Sequence, residues 1–183
     1  MRTLWLSVAG TAILMLLAGL GGSVVAQEEE APAADGPHQF SGPCRYETSW
    51  AEVDGEVDGR HLRREWSRCR CLMDDDRLSG TLWQLWNHES IGGPKYRADG
   101  EVMFGTVELV NDDGSWVGTM RGYIVNGPRT HYWQLDLTGT GAYEGLSALA
   151  YVEGPGGGAH EFEGFVFPGA LPEYPDPVEV PTE

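Results

Sequence analysis

EVMFGTVELVNDDGSWVGTMRGYIV, residues 101–125, decides the fold. Two runs, Glu101–Val110 and Ser115–Val125, flank Asn111-Asp112-Asp113-Gly114, whose Asp-Gly pair supplies the positive φ that a tight hairpin turn needs. In the first run Val107 and Leu109 alternate with Thr106 and Glu108. In the second, Trp116, Gly118, Met120, Gly122 and Ile124 take one face while Val117, Thr119, Arg121 and Tyr123 take the other. Period-two alternation over that length is the mark of a strand with one dry face.

Outward from this hairpin the pattern repeats. His131, Trp133, Leu135 and Leu137 alternate with Tyr132, Gln134 and Asp136; Leu146, Ala148, Ala150 and Val152 alternate with Ser147, Leu149 and Tyr151; Phe162, Gly164 and Val166 alternate with Glu163, Phe165 and Phe167. Upstream, Arg77–Glu89 sets Leu82 and Trp86 opposite Trp83 and Leu85, apolar on both faces. Nothing after residue 38 reads as a long amphipathic helix, so the spacing predicts an all-β domain of seven to nine strands. Connections such as Asp99-Gly100 and Asn126-Gly127-Pro128 are too short for parallel crossovers, which makes neighbours antiparallel. Glycines within strands, Gly105, Gly118, Gly122 and Gly164, mark tight bends where a sheet curls on itself. The expectation is a closed antiparallel barrel of about eight strands over residues 39–170.

The flanks read differently. Residues 1–26 carry one cation, Arg2, an apolar stretch from Leu4 to Leu20, and the small residues Val24-Val25-Ala26, the pattern of a cleaved secretory signal. An uncleaved anchor is the alternative, weakened by Gly10, Gly19, Gly21 and Gly22 and by the acidic Gln27-Glu28-Glu29-Glu30 that follows. Residues 27–38 read as a solvated acidic linker and residues 171–183 as a Pro-rich extended tail. The expected location is extracellular or in the cell envelope.

Across the 183 residues, 28 Asp and Glu outnumber 12 Lys and Arg, giving a formal net charge of −16. Such a field repels phosphate backbones and anionic lipid, so neither nucleic acid nor, after signal cleavage, a membrane surface is an expected partner. In an oxidising compartment Cys44 is expected to pair with Cys69 or Cys71, since a bond across the single residue between Cys69 and Cys71 is strained. Three thiols with no histidine beside them do not match a zinc spacing, and no metal or cofactor is expected.

Met73-Asp74-Asp75-Asp76-Arg77-Leu78-Ser79-Gly80 followed by Trp86-Asn87-His88-Glu89, then Asn111–Thr119, Gly139-Thr140-Gly141-Ala142-Tyr143-Glu144-Gly145-Leu146 and Phe167-Pro168-Gly169, together resemble a group of uncharacterised secreted bacterial proteins. More remotely they are similar to the allene oxide cyclase and dirigent type of barrel, over about residues 72–170. The resemblance implies an eight-stranded antiparallel barrel with an apolar central cavity. Its motifs are turn glycines and core aromatics, so it carries no catalytic residue over.

Several clusters have bland readings that outweigh sharper ones. Gly139–Gly145 is glycine-rich but precedes a strand pattern and lacks a phosphate-reaching lysine, which makes it a bulged start to a strand. Asp74-Asp75-Asp76 and Asn111–Gly114 lack the distal Glu of a calcium loop and read as solvated turns. Arg60, Arg63, Arg64, Arg68 and Arg70 follow Glu47, Glu52, Asp54, Glu56 and Asp58, so a hairpin of 45–54 with 60–70 would pair base with acid across strands. His61, His88, His131 and His160 are scattered, and Ser79, Ser115 and Ser147 sit in no nucleophile elbow, so no catalytic residue is named. The candidate ligand-binding residues are Trp83, Trp86, Asn87, Trp116, His131 and Trp133. The expected role is non-enzymatic binding of a small hydrophobic molecule or a surface component. The rivals are an isomerase or cyclase and a structural protein that forms a homo-oligomer through its aromatic surplus.

Overall fold

A computed structural model describes residues 36–93, 99–125, 130–155 and 158–173. The expected signal segment, 1–26, lies outside them, as do most of the linker and residues 174–183 of the tail. Eight strands follow in order: β1 (His38–Val57), β2 (Arg60–Cys71), β3 (Gly80–Ile91), β4 (Gly100–Val110), β5 (Gly114–Val125), β6 (Thr130–Gly141), β7 (Leu146–Pro155) and β8 (Ala159–Pro168). Each pairs antiparallel with the next, and β8 returns to β1, closing the sheet into a barrel. The predicted β4–β5 hairpin forms, and its register sets Val107 opposite Gly118 and Leu109 opposite Trp116.

β1 makes the closure. His38 to Arg45 pair with Val166 to Ala159 of β8, whereas Cys44 to Val57 pair with β2. Cys44 stands at the handover, opposite both His160 and Cys71. Its disulfide goes to Cys71, settling the choice left open by the sequence, because register places Cys69 two residues away opposite Tyr46. Cys69 is a buried free thiol whose Sγ lies 3.5 Å from Gln84 Oε1.

Two readings are corrected. The stretch from Arg77 does not enter the sheet until Gly80, because Asp76–Leu78 form a 3-10 turn capped by Asp75. The glycine-rich 139–145 segment ends β6 and turns the chain, with Gly141 and Gly145 at positive φ (65° and 84°), and is no bulged start to a strand. The acid–base reading of the first hairpin is met: Arg68 bonds Glu47 at 2.8 Å and Arg63 bonds Asp54 at 2.7 Å. Arg60 reaches instead to Glu89 on β3.

One end of the barrel, where β2 leaves and β3 enters, is closed by the chain itself. Leu78 of the 3-10 turn is buried beneath Trp116 and Tyr143, whose rings stack at 5.3 Å. Trp116 Nε1 donates to Arg77 O at 2.8 Å, Asn111 Nδ2 donates to Arg77 O and Ser79 O, and Tyr143 Oη donates to Asn111 Oδ1 at 2.8 Å. Asp74 accepts from Ser41 N and Oγ, and the Ser41 amide holds its carboxyl below the usual range. Burial pushes the Asp75 carboxyl up, but hydrogen bonds from the Arg77 side chain and amide outweigh that and hold it low. Both aspartates are thus occupied as structural acceptors. We call this the plugged end.

The disulfide closes a separation of 27 residues, for which loop-closure entropy gives about 3.5 kcal/mol. Cys71→Ser is expected to lower unfolding free energy by about 3 kcal/mol in urea titration. A thiol reagent is expected to label nothing in the native protein and one cysteine after unfolding, since burial pushes the Cys69 thiol up to about 12.

Candidate functional site

The opposite end, where the β1–β2 hairpin projects, gathers most of the interior's titratable side chains. Strand parity brings them there. On β3, Leu82, Gln84, Trp86, His88 and Ser90 face inward and are buried, while Trp83, Leu85, Asn87 and Glu89 face out. On β4 the same parity turns Glu101 inward with Met103, Val107 and Leu109, and Glu101 is 0% exposed. β6 contributes His131 and Trp133, and β8 contributes His160 and Phe162.

Of the six candidate ligand-binding residues, Trp86 and Trp133 meet edge to face at 5.4 Å and His131 lies 5.8 Å from Trp133. Trp116 is buried too, but in the plugged end with its indole N–H satisfied, so it belongs to the closure. Trp83 and Asn87 are on the outer wall. The Arg68 guanidinium lies 5.6 Å from the Trp83 ring, and Asn87 donates to Phe104 O across the strand pair. Both leave the interior set because the strand phase that turns Trp86 in turns them out.

Sequence reasoning missed His88, His160, Glu65 and Glu101 as a group. His88 Nδ1 lies 3.2 Å from Glu101 Oε2, and its Nε2 lies 3.8 Å from Glu65 Oε1. Glu65 in turn accepts from Arg63 Nε at 2.7 Å, and Arg63 bonds Asp54, which also lies 2.9 Å from His61 Nε2. A continuous line of polar and charged side chains therefore runs from the β1–β2 hairpin to His88 and Glu101. Beside it, His131 stacks on His160 at 5.6 Å, and His160 meets Trp133 edge to face at 4.6 Å. The signal available in sequence was phase alone: His88 is two residues from Trp86, as His131 is from Trp133. Nothing in the order of residues says that β8 closes on β1 and brings His160 to the same end.

The electrostatics of this end differ from those of the plugged end. Burial pulls the His160 imidazole down to about 4, partly offset by its hydrogen bond to the Pro155 carbonyl, so the ring is neutral at pH 7. His160 Nε2, Trp133 Nε1 and His88 Nε2 are buried and make no hydrogen bond within the described residues. Leaving such a group unsatisfied costs about 1–3 kcal/mol. Close packing is provided by glycine: a Cβ on Gly122 would sit 2.7 Å from Trp133 Cα, and one on Gly154 would sit 3.0 Å from His160 Cα. Among the described residues there is no group of three or more His, Cys, Asp or Glu arranged to hold a metal.

Open grooves run along the outer wall. One of about 610 Å³ is lined by Gln39, Ser41, Gln134, Leu149, Tyr151 and Phe165 among others. A second, about 580 Å³, runs over Thr119, Gln134, Asp136 and Leu149 to Leu171 and Pro172. Among the described residues, no helix is long and apolar enough to cross a membrane.

No protein-family model matches the chain, and no curated protein matches its sequence.

The low-lying His160 makes a pH prediction. The unfolded imidazole takes up its proton near 6.5 and the folded one near 4, so between these values the unfolded state binds more protons and stability falls as pH is lowered. The loss from this residue is expected to reach about 3 kcal/mol. Chemical denaturation of wild type and His160→Phe at pH 7 and pH 4.5 checks it: the variant should lose less stability on acidification, and an equal loss would contradict the assignment.

Proposed function

We propose that the protein is an exported barrel that binds a small, mainly apolar molecule at the end of its interior formed by Trp86, His88, Trp133 and His160. One observation carries the reading: the two ends treat their polar groups oppositely. At the plugged end, Trp116, Asn111 and Tyr143 bond to one another or to the chain. At the other, Trp133 Nε1, His88 Nε2 and His160 Nε2 are buried beside aromatic rings with no hydrogen bond from the described residues. A core optimised for stability alone satisfies or omits such groups. Aromatic walls with a few converging polar atoms are the usual make-up of a small-molecule site.

The resemblance to allene oxide cyclase and dirigent barrels points the same way, toward a barrel used from inside. Export rests on the signal-like residues 1–26 and agrees with the Cys44–Cys71 disulfide. The strong acidic excess argues against nucleic acid and anionic membrane as partners. Self-association, our lesser alternative, draws on exposed Phe104, Tyr123, Tyr151 and Phe165 on the outer wall.

A second reading, acid–base chemistry of an isomerase or cyclase kind, is favoured by His88 Nδ1 standing 3.2 Å from the buried Glu101 carboxylate, an arrangement that orients an imidazole as a base. It predicts turnover that disappears in His88→Ala while circular dichroism is unchanged.

For the binding reading the test is titration of intrinsic fluorescence with N-phenyl-1-naphthylamine, a neutral lipophilic probe. Trp133→Ala is expected to weaken binding at least tenfold, whereas Trp83→Ala, on the outer wall, should leave it within twofold. Equal weakening by both, or no saturable binding by the wild type, would refute a site inside the barrel.

A further inference from the structure

We propose that the outer wall holds a second binding site, a groove over β6, β7, β8 and β1 that takes an uncharged, β-1,4-linked glycan chain of gluco configuration. It goes beyond the interior site and does not depend on it. The groove has a volume of about 610 Å³, within the ~300–1,000 Å³ of small-molecule sites. Strand register builds it. Tyr151 of β7 stands opposite Gln134 of β6 and Glu163 of β8, and Glu163 stands opposite Ser41 of β1. In the next row Phe165 lies between Leu149 and Gln39. These side chains point outward because their neighbours Phe40, Ala150 and Phe162 face the core. The floor passes over Ala150 and Gly164, which pair across the ladder and raise no bulky side chain into it. Tyr151 and Phe165 are each 45% exposed, on adjacent strands and two places apart in register, a diagonal of about 7–8 Å.

The lining selects the occupant. A hydrocarbon would strip water from Gln39, Ser41, Gln134 and Glu163 and return no hydrogen bond. A peptide adding as a strand needs a free edge. Here β6, β7 and β8 are each paired on both sides, and the outer edge of β1 at Ser41 and Pro43 is taken by Asp74 and Leu72. A pyranose with every substituent equatorial fits both the rings and the polar groups. Its flat C–H faces lie on aromatic rings, and its rim of hydroxyls donates and accepts. An axial hydroxyl would lift the sugar from Tyr151 or Phe165, which selects the gluco configuration, and β-1,4 links keep such a chain flat and straight. The Gln134 amide is held in place before any ligand arrives, since its Nε2 donates to Asp136 Oδ1 at 2.7 Å. Adjoining grooves call for a chain rather than a single sugar. The one of about 580 Å³ shares Gln134 and Leu149 with it, and another of about 290 Å³ shares Ser41, Tyr151 and Glu163 and adds Glu153 and Glu161. Among the described residues that line these three grooves there is no Lys or Arg, so a chain bearing carboxylates is repelled.

The experiment titrates three tetramers that share one β-1,4 backbone and differ in charge, cellotetraose, tetraglucosamine and tetraglucuronate, by calorimetry at pH 7. The proteins are wild type, Tyr151→Ala, Phe165→Ala and Trp83→Ala. Wild type is expected to bind cellotetraose with a Kd of about 1 mM or tighter. Tetraglucosamine should bind at least as tightly, and tetraglucuronate at least tenfold more weakly than cellotetraose. Tyr151→Ala and Phe165→Ala are each expected to weaken cellotetraose at least fivefold with circular dichroism unchanged, whereas Trp83→Ala, on β3, should leave it within twofold. No binding of cellotetraose, equal weakening by Trp83→Ala, or tetraglucuronate as the best ligand would overturn the inference. So would sedimentation of the wild type as a dimer that Tyr151→Ala converts to a monomer, because the groove would then be an interface between copies. The interior site is read separately, by Trp133→Ala with the lipophilic probe, so either site can fail without the other.

Discussion

Everything inside this molecule follows from β1 serving two neighbours in turn. Its first eight residues pair with β8 and its remainder with β2, and the Cys44–Cys71 bond sits where one partner gives way to the other. Closure converts a strand's two faces into an inside and an outside, so every second residue is committed to an interior that must be packed and its polar atoms satisfied. Beyond Arg45, β1 has β2 as its strand partner among the described residues, and the hairpin reaches past the ring. The line of side chains from Asp54 through Arg63 and Glu65 to His88 links that hairpin to the interior.

The two ends of the interior solve the same problem in opposite ways. At one, a single 3-10 turn presents backbone carbonyls to Trp116 and Asn111, and a capping aspartate to Arg77, so a short irregular segment seals the barrel with few loose polar atoms. At the other, aromatic rings carry the packing, and Trp133 Nε1, His88 Nε2 and His160 Nε2 have no hydrogen bond from the described residues. Desolvation acts on both: it neutralises His160, and a fully buried Glu101 needs partners, of which His88 at 3.2 Å is one. Indifferent evolution of a filled core would more readily have placed leucine at these positions than two histidines, a glutamate and a tryptophan N–H.

Charge is managed locally even though the chain as a whole is strongly acidic. The arginines of β2 face the acids of β1 across the ladder, and the ring of exposed Trp50 stacks on that of half-buried Trp66 at 6.3 Å on the same hairpin. Exposed ion pairs of this kind contribute little each, but they keep a long, partly unpaired strand from attracting other strands. Glu65 differs from them: it is largely covered, and its Oε1 lies 3.8 Å from Nε2 of the interior His88.

Residue order by itself determined the strand content, the antiparallel neighbours, the β4–β5 hairpin and the cross-strand pairing of acids with arginines, because each rests on period-two alternation or on a short turn between adjacent segments. It also put Trp86 and Trp133 on dry faces. It put Trp83 and Asn87 among the ligand-facing residues as well, since a strand apolar on both sides offers no way to tell which phase is inward. Only the tertiary structure decided that phase, the choice of Cys71 over Cys69, and the meeting of Glu65, His88, Glu101 and His160, residues as much as 95 positions apart. Those depend on where β8 closes against β1 and how far each strand is sheared past its neighbour. Such offsets are set by the packing of the whole ring and leave no trace in any local stretch of chain.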